Sequence, residues 1–122
     1  MEKIKMKNQF FKCSKCGSIV YAVVGTTNGL TCCGVPMKKM NPNSTDAANE
    51  KHVPHIEGNK ISVGSVIHPM TPEHHISFIA INNKDSMYFK FLNPNEAPVI
   101  NYNLKGDEIV YEYCNLHGLW KK

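Results

Sequence analysis

Two short segments, MYFKFL at residues 87–92 and IVYEYC at residues 109–114, decide the fold class of this chain. In both segments, the odd-numbered and the even-numbered side chains form two separate sets. A period of two residues is that of a β-strand, whose successive side chains point to opposite faces of the sheet. Residues 76–81 and 99–104 are further strand-like runs, and Asn, Pro and Gly separate the runs. The chain from residue 60 onward therefore predicts an all-β sandwich or barrel.

The first third of the chain is organised around cysteines. Residues 10–40 hold four of the five cysteines, together with an apolar run at 19–24 and a Thr-Asn-Gly turn signal. This pattern predicts a short strand hairpin around a cysteine cluster. Residues 41–49 are polar, as a linker is. We therefore predict one domain at residues 1–40 and a second at 41–122, with the linker at its start.

The composition is that of a globular protein, with 42% hydrophobic and 20% charged residues. No apolar run approaches the roughly 20 residues needed to cross a bilayer, and the basic start is not followed by an apolar signal core. We therefore expect a cytoplasmic protein that does not insert into membranes. A net charge of +4, without a lysine cluster interleaved with aromatics, does not predict a nucleic-acid binder, although a modest positive field can attract a small anion.

The cysteines have the spacing of a metal site. Five is an odd number, which argues against a fully disulfide-paired framework, and thiols stay free in a reducing cytoplasm. Cys13-x-x-Cys16 is followed after 15 residues by the adjacent pair Cys32-Cys33, and four thiolates suit zinc or iron. Adjacent residues of an extended segment face opposite sides, so this pair can bind one ion only if the chain bends there. Spacing alone leaves a structural zinc site and an iron site both open.

Histidines and the last cysteine form a second candidate site. It is spread over three segments, with possible ligands at His52, His68, His74, Cys114 and His117. His75 is adjacent to His74, and neighbours in an extended segment face opposite ways, so only one of the two is expected to reach a shared metal. His55 is similarly dispensable. The residue pattern by itself leaves this ligand set partly open.

The complete set of motifs resembles desulfoferrodoxin, the family of two-iron superoxide reductases. The motifs stand in the family's order: Cys13-x-x-Cys16, Cys32-Cys33, Glu50-Lys51-His52, His68-x5-His74 and Cys114-x-x-His117. The resemblance covers nearly the whole chain, without a departure at any ligand position. It implies a small desulforedoxin-like metal-bound module at the N-terminus, followed by an immunoglobulin-like β barrel or sandwich that carries the catalytic site.

The resemblance also implies two mononuclear irons per chain. The first iron would have the rubredoxin-like ligand set Cys13, Cys16, Cys32 and Cys33. The second, catalytic iron would have four imidazole ligands and an axial thiolate, from His52, His68, His74, His117 and Cys114. The remaining histidines, His55 and His75, fall outside the family's ligand pattern.

The activity implied by the resemblance is the one-electron reduction of superoxide to hydrogen peroxide at ferrous iron. Rubredoxin or a similar carrier would supply the electrons, and the chain would form a homodimer. Lys51 is the expected catalytic cation that attracts superoxide. Glu50 is either a surface carboxylate or a ligand of the oxidised iron.

Two other functions are alternatives. One is a non-catalytic zinc or iron protein, acting as an electron carrier or a structural module. The other is a non-haem iron oxygenase, which the residues disfavour because such sites use two histidines and one carboxylate rather than four histidines and a thiolate.

Overall fold

A computed structural model describes residues 9–24, 29–44, 52–64 and 68–122. These residues form twelve β-strands: β1 (Phe10–Lys12), β2 (Ile19–Tyr21), β3 (Thr31–Cys32), β4 (Val35–Pro36), β5 (Lys38–Lys39), β6 (Pro54–Glu57), β7 (Lys60–Val63), β8 (Ile76–Asn82), β9 (Met87–Phe91), β10 (Val99–Asn101), β11 (Ile109–Cys114) and β12 (Gly118–Lys121). The predicted all-β class is confirmed. Within these four ranges there is no helix with the length and hydrophobicity that crossing a membrane requires.

The chain divides into two compact units, Met1–Asn41 and Pro42–Lys122. In the described part of the smaller unit, β1 lies between β2 and β5 in an antiparallel sheet, and β3 pairs with β4. The strand expected over residues 19–24 ends early, at Tyr21. Val23 and Val24 are 71% and 85% exposed, so this part of the run lacks the covered face that a strand's apolar side chains need.

The described residues of the larger unit form two antiparallel sheets, in the strand orders β10-β7-β6 and β12-β11-β8-β9. Ile61 and Val63 of one sheet and Ile79, Ile81 and Val110 of the other belong to a single buried cluster. A core shared by two sheets is the packing of a β-sandwich. The described strands form open sheets rather than a closed barrel, so the barrel alternative is corrected, because closure needs pairing between the edge strands of the two sheets.

The central strand β11 carries a ligand candidate at its end. Its pairing with β8 is irregular: Tyr113 lies opposite Phe78, whereas Cys114 lies opposite Ile76. This β-bulge allows Ile76 and Cys114 both to enter the buried cluster. The thiol of Cys114 is therefore held by the most extensively paired part of the unit.

Asn43, from the segment expected to be a linker, is tied to β12. Its backbone amide donates to the Leu119 carbonyl at 3.0 Å. Its side chain accepts a hydrogen bond from the Lys121 amide at 2.8 Å and donates one to the Lys121 carbonyl at 3.1 Å. The start of the larger unit is therefore fastened to the edge of its sheet.

Candidate metal centres

The first two cysteines lie in a turn that directly follows β1. The amide of Gly17 donates to the Cys13 carbonyl at 3.0 Å, and the amide of Cys13 donates to the Ser18 carbonyl at 2.9 Å. Gly17 has a φ of 80°, a left-handed conformation that glycine adopts without steric cost. The amides of Lys15 and Cys16 both donate to Cys13 Sγ, at 3.4 Å. The turn therefore presents amide dipoles to a buried sulfur.

The adjacent pair Cys32-Cys33 lies at a tight hairpin. Cys32 pairs with Val35, so Cys33 and Gly34 form a two-residue turn between β3 and β4. Their φ angles of 54° and 77° are both positive, as a type I′ turn requires. A left-handed conformation costs a residue other than glycine about 1–2 kcal/mol. The bend expected for this pair is found at Cys33, and it brings the two sulfurs to 3.9 Å.

The four sulfurs of this unit converge. The Sγ atoms of Cys13, Cys16, Cys32 and Cys33 lie within 4.8 Å of one another, and Cys16 Sγ is 3.6 Å from Cys32 Sγ. All four thiols are free of disulfides. Cys13 is buried, whereas Cys16 and Cys33 are exposed, so one edge of the group is open to solvent.

The electrostatics of the four thiols are those of a cation site. The Ser18 hydroxyl, 3.1 Å from Cys16 Sγ, lowers the pKa of that thiol to about 6. The Cys16 sulfur in turn raises the pKa of Cys32 to about 12. Four thiolates at this spacing repel one another unless a cation lies among them. The group therefore fits a metal ion with tetrahedral thiolate ligands.

The second ligand group is assembled from three segments of the larger unit. His52 lies just before β6, and His68 and His74 lie between β7 and β8. Cys114 ends β11, and His117 lies in the turn before β12. His52, His68 and Cys114 are buried, whereas His74 and His117 are partly exposed.

The four imidazole rings form a closed circuit in which each ring meets its two neighbours edge to face. Ring centroids are 4.8 Å apart for His52–His68, 4.7 Å for His68–His74, 5.1 Å for His74–His117 and 4.8 Å for His52–His117, with interplanar angles between 77° and 83°. His52 Nε2 lies 3.2 Å from His68 Nε2 and 3.1 Å from His117 Nδ1. Ring nitrogens from different segments are thus directed toward one centre.

Cys114 belongs to the same centre. The ligand atoms of His52, His74, Cys114 and His117 all lie within 4.8 Å of one another, and Cys114 Sγ is 3.8 Å from His117 Nδ1. His68 joins them through its contact with His52. Nitrogen lone pairs at 3.1–3.2 Å repel unless a proton or a cation lies between them. The group therefore fits a metal ion bound by imidazoles and one thiolate.

Neighbouring groups fix the orientation of the imidazoles. His68 Nδ1 lies 2.7 Å from the Pro69 carbonyl, so a proton on Nδ1 leaves the Nε2 lone pair facing the centre. Burial lowers the pKa of His68 to about 4, which keeps the ring in the neutral form that binds metals. Trp120 stacks on His52 with a centroid distance of 4.9 Å and donates from Nε1 to the His117 carbonyl at 3.1 Å.

The inward side of β11 also buries Glu112 near Cys114. In the described part of the chain, neither carboxyl oxygen of Glu112 has a hydrogen-bond partner, and burial raises the pKa of this group to about 9. Burial also raises the pKa of the Cys114 thiol, and the amides of Leu116 and His117 oppose that effect. The signal for Glu112 in the sequence was its two-residue spacing from Cys114, which places both on one strand face.

Asn115 joins two of the ligand segments. Its Oδ1 accepts a hydrogen bond from the His75 amide at 2.8 Å, and its Nδ2 donates to the Glu73 carbonyl at 3.0 Å. Its backbone amide donates to the His75 carbonyl at 3.1 Å. These three bonds bracket His74 and fasten its loop to the Cys114-x-x-His117 turn.

Two further histidines named in the sequence analysis, His55 and His75, belong to neither ligand group. His75 Nδ1 lies 3.0 Å from the Thr71 carbonyl. His55 lies on β6 and lines an open groove of about 790 Å³, whose wall also includes the ligand candidate His68. Glu50 and Lys51 lie outside the described residues.

Comparison with known proteins agrees with the division of the chain into the units Met1–Asn41 and Pro42–Lys122. The family profile Desulfoferrodoxin matches residues 44–122, and the profile of the desulfoferrodoxin N-terminal domain matches residues 5–40. A desulfoferrodoxin of Nitratidesulfovibrio vulgaris is 46% identical over 95% of this chain and 98% of its own length. A superoxide reductase of Thermococcus kodakarensis is 35% identical over 64% of this chain and 89% of its own length.

A solved structure resembles the whole chain. The crystal structure of the superoxide reductase from Treponema pallidum matches with a TM-score of 0.70 and 32% identity, covering 93% of this chain and 97% of that one. The two ligand groups agree with the two mononuclear irons implied by the sequence resemblance. Since both profiles match and a curated relative aligns over nearly its full length, the chain belongs to the desulfoferrodoxin family.

Proposed function

We propose that this chain is a superoxide reductase. The observation that carries the proposal is the circuit of four imidazoles with a cysteine thiol beside it. The reaction is the addition of one electron and two protons to superoxide, giving hydrogen peroxide. The names of the relatives from Thermococcus kodakarensis and Treponema pallidum support the same activity.

The ligands of the catalytic iron are proposed to be His52, His68, His74, His117 and Cys114. When bound, ferrous iron would supply the electron, and a thiolate ligand donates electron density that favours its transfer. His52, His68 and Cys114 are buried, whereas His74 and His117 are only partly buried. A small anion is proposed to approach the centre past these two less buried residues.

Lys51 and Glu50, which precede His52, are proposed to act on the reaction through their charges. The ammonium group of Lys51 attracts the superoxide anion, and steering of this kind changes association rates by roughly 10–10³-fold at low salt. Glu50 has the opposite charge and cannot help to capture the anion. Its carboxylate suits the harder, oxidised iron instead.

The smaller domain, residues 1–40, is proposed to hold the second iron through Cys13, Cys16, Cys32 and Cys33, and residues 41–122 are the catalytic domain. Because each reduction consumes one electron, an outside donor is needed, and rubredoxin or a similar carrier is proposed for that part. A homodimer and a cytoplasmic location complete the proposal, as the family resemblance and the free cysteines imply.

Metal analysis with visible absorption, on natively expressed protein in the oxidised and reduced states, tests the cofactor part. We expect two irons per chain with different ligand fields. Zinc in the histidine–cysteine centre, or a single iron per chain, would favour a non-catalytic metal protein instead.

Pulse radiolysis of Lys51→Ala and Glu50→Ala over a range of salt concentrations tests the charge roles. We expect Lys51→Ala to slow the reaction with superoxide and to flatten its dependence on ionic strength, with iron retained. Glu50→Ala is the matched control, which should keep the rate and change only the absorption of the oxidised state. If Lys51→Ala reacts as fast as the parent at low salt, Lys51 has no steering role.

A further inference from the structure

The positive charge of this protein is concentrated in its smaller unit. Residues 1–41 contain seven lysines against one acidic residue, Glu2, which is a formal charge of +6. Residues 42–122 contain seven lysines against nine acidic residues, which is −2. The net charge of +4 therefore hides a strongly basic unit beside a mildly acidic one.

The described lysines of this unit lie close in the fold to the cysteine ligands. Lys15 is exposed and stands between Cys13 and Cys16 in the turn. Lys38 and Lys39, both exposed, form β5, and Lys38 pairs with Lys12, the residue before Cys13. Like charges opposite each other lower the stability of a strand pair, and an anionic surface laid against them offsets that cost.

The sulfur group of the same unit is open to solvent. Cys16 and Cys33 are exposed, although Cys13 at the back of the group is buried. A protein that lies against this edge comes within a few ångströms of two metal ligands. Exposed ligands next to a charged surface are what a redox partner needs for a short electron path.

We propose that Lys15 and Lys38, with Lys12 directly opposite Lys38 on the same face of the sheet, form a docking surface for a small electron-carrier protein of net negative charge. The inference rests on the proposed function, which requires an outside one-electron donor. The positive surface predicts a partner of net negative charge, and the exposed cysteine ligands predict a partner that carries electrons. A nucleic acid fits less well, because the aromatic rings in the described part of this unit, Phe10, Phe11 and Tyr21, are buried or partly buried and offer no exposed ring for base stacking.

The test is a binding titration of the full-length, iron-loaded protein with a rubredoxin of net negative charge, at low and high salt. The charge-reversal variant Lys15→Glu/Lys38→Glu is compared with Lys84→Glu/Lys122→Glu. The second variant changes the net charge of the chain equally, at exposed lysines of the larger unit. We expect the first variant to weaken binding at low salt by roughly 10-fold or more, the control by much less, and 0.5 M salt to remove the difference.

Three results would overturn the proposal: no complex with the acidic carrier, equal weakening by both variants, or tighter binding of duplex DNA that displaces the carrier. Unchanged absorption of the four-cysteine iron shows that the variant is folded. Failure here is distinguishable from failure of the proposed function. Pre-reduced protein reacts with superoxide without any carrier, so that reaction should persist in both variants even if the docking surface is wrong.

Discussion

The two ligand groups of this chain are built in opposite ways. The four-cysteine group takes all its ligands from residues 13–33, on two tight turns that contain the left-handed residues Gly17 and Cys33. The histidine–cysteine group draws its ligands from residues 52–117, and Cys114 belongs to the buried core itself. One group is local and open, and the other is long-range and enclosed.

This difference predicts, for each unit, whether the fold depends on the metal or the metal site depends on the fold. In the described part of the smaller unit, the buried apolar side chains are Phe10, Phe11 and Cys13, which is little core for about 40 residues. A metal ion there supplies folding free energy. The larger unit has a core shared by two sheets, so we expect its fold to orient the ligands even without a metal. We therefore expect the metal to maintain the fold of the smaller unit, and the fold of the larger unit to maintain its metal site.

The largest expected effect comes from Cys13→Ser. Structural zinc contributes an apparent binding free energy of about 10–16 kcal/mol in zinc-finger peptides, so loss of a buried ligand of the four-cysteine iron should likewise unfold the smaller unit and release its iron. The histidine–cysteine iron should stay, because its ligands lie within residues 52–117. Iron analysis, visible absorption and amide hydrogen exchange measure both effects, with the exposed Ser14→Ala as control. Loss of both irons would contradict the independence of the two groups.

Next in size is Cys114→Ser in the enclosed group. A hydroxyl is a poorer electron donor than a thiolate, so superoxide reduction should fall by more than about 10²-fold, since even outer-shell changes cost 10–100-fold. The sandwich should stay folded but melt several degrees lower, because a hydroxyl buried at this core position without a partner costs about 1–3 kcal/mol. Pulse radiolysis and circular dichroism make the comparison. Full activity in this variant would exclude Cys114 as a ligand.

A smaller effect is expected at Asn115, which fastens the His74 loop to the Cys114-x-x-His117 turn. Asn115→Ala removes both side-chain bonds and should weaken iron binding at the enclosed centre by roughly 10–100-fold. Asn115→Asp keeps an acceptor for the His75 amide, so its iron affinity should lie between those of Asn115→Ala and the parent. Competition with a chelator measures the affinity, and hydrogen exchange of the His75 amide in metal-free protein reports the loop directly.

The matched control is Leu116→Ala, since the Leu116 side chain is 59% exposed in the same turn. If Asn115→Ala and Leu116→Ala bind iron equally well and protect the His75 amide equally, the fold does not orient the His74 loop through Asn115.

The smallest expected effect lies far from both centres. Amides of Lys105 and Gly106 donate to the Glu108 carboxylate at 2.8–3.1 Å and lower its pKa. The folded chain therefore binds this proton less tightly than the unfolded chain. The resulting stability is complete at neutral pH and is lost as the pH falls through the range of the carboxyl group. Glu108→Gln should lower the melting temperature slightly at pH 7, with the difference shrinking below about pH 4.

Asp107→Asn, a neighbouring exposed carboxylate, is the control for Glu108→Gln. A constant difference between Glu108→Gln and the parent from pH 7 to pH 3 would contradict the assignment of the effect to the charged form.

Local patterns in the sequence predicted much of this molecule, because their causes are local. The alternation in IVYEYC follows from a two-residue period, and β11 has the bounds expected from it. Strand ends were less accurate. The run expected over 99–104 is a strand only at Val99–Asn101, and the run at 87–92 ends at Phe91. The residue at which a strand ends depends on which neighbouring strand is available to pair with it. A local sequence pattern carries no information about that neighbour.

Long-range contacts could not be predicted in the same way. The facing rule required a bend at Cys32-Cys33, and the structure supplies it through a type I′ turn. Nothing in the sequence pairs Asn115 with the His75 amide 40 positions away, or stacks Trp120 on His52. Sheet closure also depends on distant pairing, and the described strands form the sandwich alternative with open sheets rather than a closed barrel.

The most direct test of the central claim is the product balance after pulse-generated superoxide reacts with pre-reduced protein in the absence of any carrier. Hydrogen peroxide and oxygen are both quantified against the superoxide consumed. A reductase whose enclosed centre supplies the electron gives one hydrogen peroxide for each superoxide and no oxygen. Release of one oxygen for every two superoxide anions would identify dismutation, and absence of any reaction would identify a metal protein without this activity; either result would contradict the account.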